Sequence, residues 1–506
     1  MTTTTTKFRQ GRGRVREPLG SASELDPAGL ALADSDSGRT LSWSELDARA
    51  TRVAAGMLQL GVRAGDRVAA IGLARSDVAS LLHGCLRAGA SLVPLSGRAP
   101  APDLQRQLEV ARPALIVEPS QPEEHSSTPD APARVAAFAE LLELGAGAGG
   151  PGPSQVCRGS ELGLLFTSGT TGEPKPVSLT VGNQLASARG CRASLRSVAG
   201  ERWLLCLSPH HVGGFSMLMR SAVCRQPLVT VERFNDQAVM AALKEWRPRL
   251  ISLVPTMLTR LVEAGAVEHL RKARAILLGG APARQEDILS WAGMGIPVCP
   301  SYGLTESNSQ LATVPPGRAV ELIGTVGYPH PFARIALVRE EGERLVPVSR
   351  GEVGLIAIAG PVVSPSLPKV GIEGLSDGPR VRTDWVITSD RGRIDPNSGA
   401  LMVLGRADDA IVTGGETVQP EEVERVIMSH PLVTDAAVRG LADPRWGQRL
   451  EALVVAEPQI STEELAQYLR ERLDSAKLPR AIHLVAFLPR SEGGKLLRGR
   501  LGDGDQ

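Results

Sequence analysis

The chain reads as an α/β protein, with helices packed on a mostly parallel sheet and a small α+β unit at its C-terminal end. Three observations lead there. At 506 residues it exceeds one ordinary core, so two or more domains are expected. From about Thr40, short apolar runs alternate with amphipathic helical patterns, which is the rhythm of β-α-β units. After Asp408, residues 408–506 hold enough strands and helices for a separate small domain.

The elements follow in order. Ser42 and Glu45 have capping-box spacing. Leu46, Val53, Met57 and Leu60 then share one helical face, and Gly61 fits the stop. Residues 67–73 form a short apolar run typical of a buried strand. Residues 77–88 read as a helix and 91–94 as the next strand. Residues 119–160 are rich in Pro, Gly, Ser and Ala and read as a connector. Strands resume at 203–207, 250–254 and 275–278. A strand at 400–404 leads into Gly405-Arg406-Ala407-Asp408-Asp409. The pattern beyond is helix 420–428, strands 434–439 and 451–456, helix 461–473 and strand 482–487. The expected division is a disordered leader at 1–21, a large domain at 22–407 and a small one at 408–506. The leader is a Thr tract followed by Lys7, Arg9, Arg12, Arg14 and Arg16, without the apolar segment of a secretory signal.

Composition narrows the function classes. Net charge is +1, which offers no broad attraction to nucleic acid or an anionic membrane. Aromatic residues are 3% of the chain, too few for stacking platforms. The six cysteines include no CxxC pair, which argues against a metal site or a disulfide framework and suggests a reducing cytoplasm. No apolar run reaches membrane-spanning length.

The most informative segment runs from Thr167 to Lys175, with Ser168, Gly169, Thr170, Thr171 and Gly172 between. Small residues let a backbone approach phosphate oxygens, N–H groups and hydroxyls donate to them, and the lysine adds charge. A nucleotide P-loop fits poorly, because Lys175 stands between two prolines. Ser301-Tyr302-Gly303-Leu304-Thr305-Glu306 joins an aromatic ring, hydroxyls and a carboxylate, suited to a base, a phosphate and Mg²⁺. Asp390 suits ribose hydroxyls, and Arg406 suits ribose or phosphate. A glycine-flexed loop at 490–495 carries Lys495. Read singly, each has a plain alternative: a surface loop, a strand-end turn, a loop aspartate, a surface arginine, a solvated lysine.

Their order is specific, and it resembles the acyl-adenylate-forming superfamily over about Thr40 to Leu501. The resemblance implies a large N-terminal domain of mixed sheets flanked by helices, plus a small mobile α+β C-terminal domain. It implies ATP, Mg²⁺ and coenzyme A, with acid activation as an adenylate followed by transfer to a thiol. Thr167 to Lys175 is similar to the phosphate loop. Gly279-Gly280-Ala281-Pro282 is similar to the turn lining the adenine pocket. Tyr302, Gly303, Thr305 and Glu306 fall in the adenine- and magnesium-contacting motif, with Glu306 holding the metal. Thr388-Ser389-Asp390 resembles the ribose-holding Thr-Gly-Asp. Residues 405–409 resemble the hinge, about which Gly414 and Gly415 swing to the pantetheine channel. Lys495 corresponds to the catalytic lysine, with Thr167 and Lys175 assisting at the phosphates.

A narrower resemblance is to the o-succinylbenzoate–CoA ligases of menaquinone biosynthesis, carried by residues 209–215, 301–310 and 404–424. It implies an acyl pocket formed by His211, Gly213, Gly214, Arg220, Ser307 and Ser309, suited to a small aromatic acid with a second polar or anionic group. Arg220 would reach that group, or else form a structural ion pair. Pro176, Ser389 and the stretch 362–382 depart from the family pattern. Two alternatives stay open: a benzoate- or anthranilate-type ligase, and an ATP-independent acyl transfer from CoA to an acyl carrier protein.

Overall fold

The computed structural model describes residues 13–501 apart from 121–132, 153, 169–173, 374, 376–383, 414–415, 445 and 491–495. The capping box forms as expected. Ser42 accepts from the Glu45 N–H at 3.2 Å, while the Glu45 carboxylate accepts from the Ser42 N–H at 2.7 Å. The helix Trp43–Gln59 follows. It buries Leu46, Ala50, Val53 and Met57, and Gly61 adopts a left-handed φ of 93° just past its end. Burial of such a face, more than intrinsic propensity, holds a helix of this length.

The first sheet has six strands, in the order Pro174–Thr180, Glu161–Ser168, Ser91–Leu95, Arg67–Ile71, Leu115–Glu118 and Arg134–Ala137. All pairs are parallel except the outermost, Pro174–Thr180 on Glu161–Ser168. Pro176 therefore lies on an edge strand, where a missing N–H is tolerated. Glu161 fastens this sheet: it takes Arg67 Nε and Ser91 Oγ at 2.8 Å each and Ser178 Oγ at 2.7 Å.

The second sheet has nine strands. Its parallel centre runs Val298–Leu304, Ala275–Leu278, Leu250–Leu253, Trp203–Leu205, Leu228–Thr230 and Leu30–Asp34. Antiparallel strands close both sides, Ser309–Thr313 with Tyr328–Pro329 on one and Thr40–Ser42 on the other. Helix Val212–Cys224 leaves the second sheet and packs on the first through Phe215, which is fully buried. Phe215 rests directly on Gly163, where a Cβ would collide with the ring.

A third, antiparallel sheet (Arg344–Pro347, Arg334–Glu341, Val353–Ala359, Val386–Ile394, Leu401–Arg406) was not expected from the β-α-β rhythm. Residues from Ile411 onward form a separate sheet and a separate apolar cluster around Val423, Ile427, Val454 and Leu465.

Two expectations need correction. The leader is ordered from residue 13: Arg14–Arg16 pairs with Gln155–Cys157, and the helix Pro18–Leu25 follows. The cause is Glu17, which has 0% exposure. It accepts from the N–H groups of Leu19 and Gly20 and pairs with His83 Nδ1 at 3.0 Å and Arg87 Nη2 at 3.1 Å. The connector 119–160 also holds structure, namely the strand Arg134–Ala137 and the helix Phe138–Leu144. That helix lies so close to Trp43–Gln59 that a Cβ on Gly56 would meet the Leu141 carbonyl. Small residues permit this approach, and they also give the stretch its loop-like composition.

Candidate active site

The site gathers at the carboxyl ends of the parallel strands, where open α/β sheets bind ligands. Ala275–Leu278 ends in Gly279-Gly280-Ala281-Pro282, with Gly280 at φ 81°. Ser301 Oγ ties the neighbouring strand to this turn by donating to the Leu278 carbonyl at 2.8 Å. Val298–Leu304 delivers Tyr302 and Gly303, then turns through Thr305–Ser307. A Cβ on Gly303 would strike the Ser309 carbonyl, so glycine is required for that turn to close.

Tyr302 is buried, and its hydroxyl donates to Asp390 Oδ2 at 2.6 Å. Burial, then the charge of Asp390 and this bond, raise the phenol pKa well above its ordinary value. Tyr302 is thus a fixed donor. Thr388 Oγ1 accepts from the Asp390 N–H at 3.1 Å and donates to the Ile356 carbonyl at 2.9 Å. Ser389 sits in the extended strand Val386–Ile394 and needs no left-handed φ, so a serine replaces glycine there without backbone strain. Arg406 lies opposite Asp390 in the strand register, with Asp408 3.8 Å from its guanidinium.

Glu306 is half-buried, and its carboxylate forms no hydrogen bond or ion pair among the described residues. Its backbone is held, since its carbonyl accepts from the Ser364 N–H at 2.8 Å. No cluster of three metal-ligating side chains occurs among the described residues. A carboxylate without a partner among the described residues fits Mg²⁺, which takes one or two carboxylates and completes its shell with water and phosphate oxygens.

Ser307 does not match the expectation of a substrate contact. It has 0% exposure; its hydroxyl accepts from the Leu304 N–H at 3.0 Å and lies 2.9 Å from the Ser309 carbonyl. It fastens the turn. Asn308 and Ser309 both have positive φ, 57° and 93°. Asn308 is held on several sides: Gln184 Nε2 donates to its Oδ1 at 3.0 Å, Ser187 Oγ donates to its carbonyl at 2.7 Å, and its Nδ2 donates to the Val362 carbonyl at 2.8 Å. Sequence reasoning missed this network. The available signal was an asparagine just after the motif, the non-glycine residue most tolerant of a left-handed conformation.

The histidine segment follows the strand Trp203–Leu205. His211 is exposed at the start of helix Val212–Cys224. Gly214 packs onto the Ser208 carbonyl, where a Cβ would clash; Gly213 is half-buried beside it. The His210 and His211 rings lie tilted against each other at 54°, with centres 4.3 Å apart. Burial first, then His211 and Arg75, lower its pKa to about 3, so it is neutral at physiological pH. Arg75, also missed, clamps this segment by donating to the Cys206 carbonyl at 3.1 Å and the Leu207 carbonyl at 3.2 Å. It bonds to the Glu232 carbonyl as well, and the Glu232 carboxylate lies 3.3 Å away.

Arg220 is 1% exposed. Its guanidinium lies over Trp203, 4.9 Å from the ring centre, and Nε and Nη2 have no hydrogen-bond partner among the described residues. The ion pair considered from sequence does not form among the described residues.

Thr167 and Lys175 face each other across the hairpin, with the Thr167 hydroxyl 3.4 Å from the Lys175 carbonyl. Ser168 pairs with residue 174 through the backbone. Gly169, Thr170, Thr171, Gly172, Gly414, Gly415 and Lys495 lie outside the described residues.

A free carboxylate and a tyrosine-tied aspartate, set where parallel strands end, suit an enzyme that activates a substrate with a nucleotide. The chain belongs to the AMP-binding enzyme family: the model of that family matches residues 22–366, and the model of the AMP-binding enzyme C-terminal domain matches 422–495. It is 33% identical over 496 residues to the 2-succinylbenzoate–CoA ligase of Bacillus licheniformis, covering 96% of this chain and 98% of that one. Among solved structures it is similar to the o-succinylbenzoate CoA synthetase of Bacillus subtilis in complex with the acyl-adenylate intermediate OSB-AMP. That match has TM-score 0.85 and 32% identity, covering 97% of this chain and 99% of that chain. The same Bacillus subtilis enzyme with ATP and magnesium ion matches at TM-score 0.83 and 30% identity, covering 97% and 100%.

Proposed function

We propose that this chain is an ATP-dependent acid–thiol ligase that converts o-succinylbenzoate to its CoA thioester, a step of menaquinone biosynthesis. In the first half-reaction the substrate carboxylate attacks the α-phosphate of ATP, forming the acyl-adenylate and releasing pyrophosphate. In the second, the CoA thiol attacks the acyl carbon, forming the thioester and releasing AMP and a proton.

The observation that carries the choice of acid is Arg220. A buried guanidinium without a counter-ion is costly, and a carboxylate brought to it offsets that cost. o-Succinylbenzoate offers a second carboxylate that takes no part in the reaction; benzoate does not. In this reading His211, Gly213, Gly214 and Ser309 line the acyl pocket. Asp390 and Arg406 hold the ribose, and Gly280, Ala281, Pro282 and Tyr302 border the base. Thr167 to Lys175 meets the phosphates. Mg²⁺ at Glu306 would neutralise charge on the leaving pyrophosphate. Lys495 would stabilise the charge passing between acyl carboxylate and α-phosphate. The small domain begins at 408 and turns about Asp408 between the half-reactions. No helix among the described residues is long and apolar enough to cross a membrane, and ATP and CoA as substrates fit a cytoplasmic enzyme.

The test is mass-spectrometric detection of acyl-CoA after incubation with ATP, Mg²⁺ and CoA. o-Succinylbenzoate, benzoate and anthranilate are offered separately, each with a no-ATP control. An ATP-dependent thioester from o-succinylbenzoate alone supports the reading. A product only from the simpler acids, or without ATP, overturns it.

A further inference from the structure

Arg498 lies in the short turn Arg498–Arg500, three positions after Lys495 in sequence. Its guanidinium serves three carboxylates and a carbonyl. Nη2 donates to Glu421 Oε1 and Glu424 Oε2, both at 2.9 Å, and Nη1 donates to Glu424 Oε1 at 2.8 Å and the Val438 carbonyl at 3.0 Å. Nε lies 3.3 Å from Asp409 Oδ2. All four groups belong to residues after Asp408.

The cluster nonetheless reaches back across that boundary. Gly405 has φ 139° and lies in the strand Leu401–Arg406. A Cβ placed on it would collide with Glu421 Oε2, so that carboxylate rests on the strand backbone. The same strand pairs with the one that carries Asp390. Glu421 Oε2 is buried and has no hydrogen-bond partner among the described residues. Burial, opposed by Arg498, raises the Glu421 pKa. A clamp serving only the small domain would need Glu424 and Val438. It would not need a half-satisfied glutamate pressed on Gly405, nor an aspartate beside Asp408. Three carboxylates on one cation leave excess negative charge, so their convergence depends on Arg498.

We propose that Arg498 is a positioning residue for adenylate formation: through Glu421 and Asp409 it fastens the chain end that follows Lys495 to the strand Leu401–Arg406. The inference rests on the ligase reading above. Breaking this tie displaces the chain end during the first half-reaction and leaves the second, which uses a different arrangement of the two domains, largely intact. A misplacement of about 1 Å costs about 10²-fold in rate.

The two half-reactions separate this role from simple stability. Adenylate formation is read as ATP–pyrophosphate exchange with o-succinylbenzoate and, in parallel, benzoate. Thioester formation is read from the matching synthetic acyl-adenylate and CoA. The acid the wild-type chain activates tests the ligase reading, and the ratio of the two rates in the variants tests Arg498 with whichever acid that is. Arg498→Lys is expected to lose about 10²-fold in exchange and to stay within about twofold in thioester formation. Asp409→Asn leaves the glutamate pairs in place and so guards against a misfolded variant; it should shift the ratio the same way, by about tenfold. Equal loss of both half-reactions in the two variants, or no loss in either, overturns the proposal.

Discussion

The Tyr302 hydroxyl donates to Asp390 Oδ2 at 2.6 Å, joining the nine-stranded sheet to the antiparallel one. The phenol stays protonated, so it is a permanent donor that holds the Asp390 carboxylate in place. Tyr302→Phe keeps the ring and removes the donor. A hydrogen bond to a charged group is worth about 1.5–3 kcal/mol, so the KM for ATP should rise about tenfold while the KM for the acid holds. Steady-state kinetics with each substrate varied in turn would show it. An unchanged KM for ATP would count against Asp390 as the ribose acceptor.

Glu17 makes the ordered N-terminus sensitive to acid. Burial alone would raise its pKa, but the His83 hydrogen bond and attraction, with Arg87 and the Gly20 N–H, bring it from 4.5 to about 2. Because the folded value is the lower one, the stabilisation is present above pH 4.5 and lost as pH falls toward about 2. Its size is on the order of 3 kcal/mol. Glu17→Gln should lower Tm at pH 7, and the gap from wild type should narrow steadily as pH falls from 4.5 toward about 2. Thermal melts followed by circular dichroism test this. A pH-independent gap would refute it.

Arg75 holds the segment carrying His210 and His211. Lysine cannot reproduce the fork that meets the Cys206, Leu207 and Glu232 carbonyls. Arg75→Lys is expected to raise the KM for o-succinylbenzoate about tenfold, with the KM for ATP within about twofold. A parallel rise in both constants would make Arg75 a general stabiliser.

Ser309 carries φ 93°, a conformation that costs a residue with a side chain about 1–3 kcal/mol. Glycine removes that strain and loses roughly 0.5–1 kcal/mol to chain entropy. Ser309→Gly should therefore raise Tm slightly, and Ser309→Val should lower it. A glycine variant melting well below wild type would mean that the serine side chain stabilises the turn.

Much of this molecule was legible in the chain because the signals are local. The capping box at Ser42 and Glu45, the helix Pro420–Met428 and the strand Ala275–Leu278 follow from spacing within a few residues. Motif order pointed to the site for the same reason, since strand ends and tight turns write their glycines and hydroxyls into short stretches. Pairing between distant segments has no such imprint. The pairing of Arg14–Arg16 with Gln155–Cys157, the ordering of residues 14–25 by a buried glutamate that meets His83 and Arg87, and Arg75 meeting the carbonyls of Cys206 and Leu207 each join residues far apart in sequence. The sequence by itself determined the residue types and their order. Tertiary structure alone decided which polar groups are used up in burial, as with Ser307, and which are left without a partner, as with Arg220. The physical reason is that desolvation and hydrogen-bond satisfaction depend on all the neighbours in space.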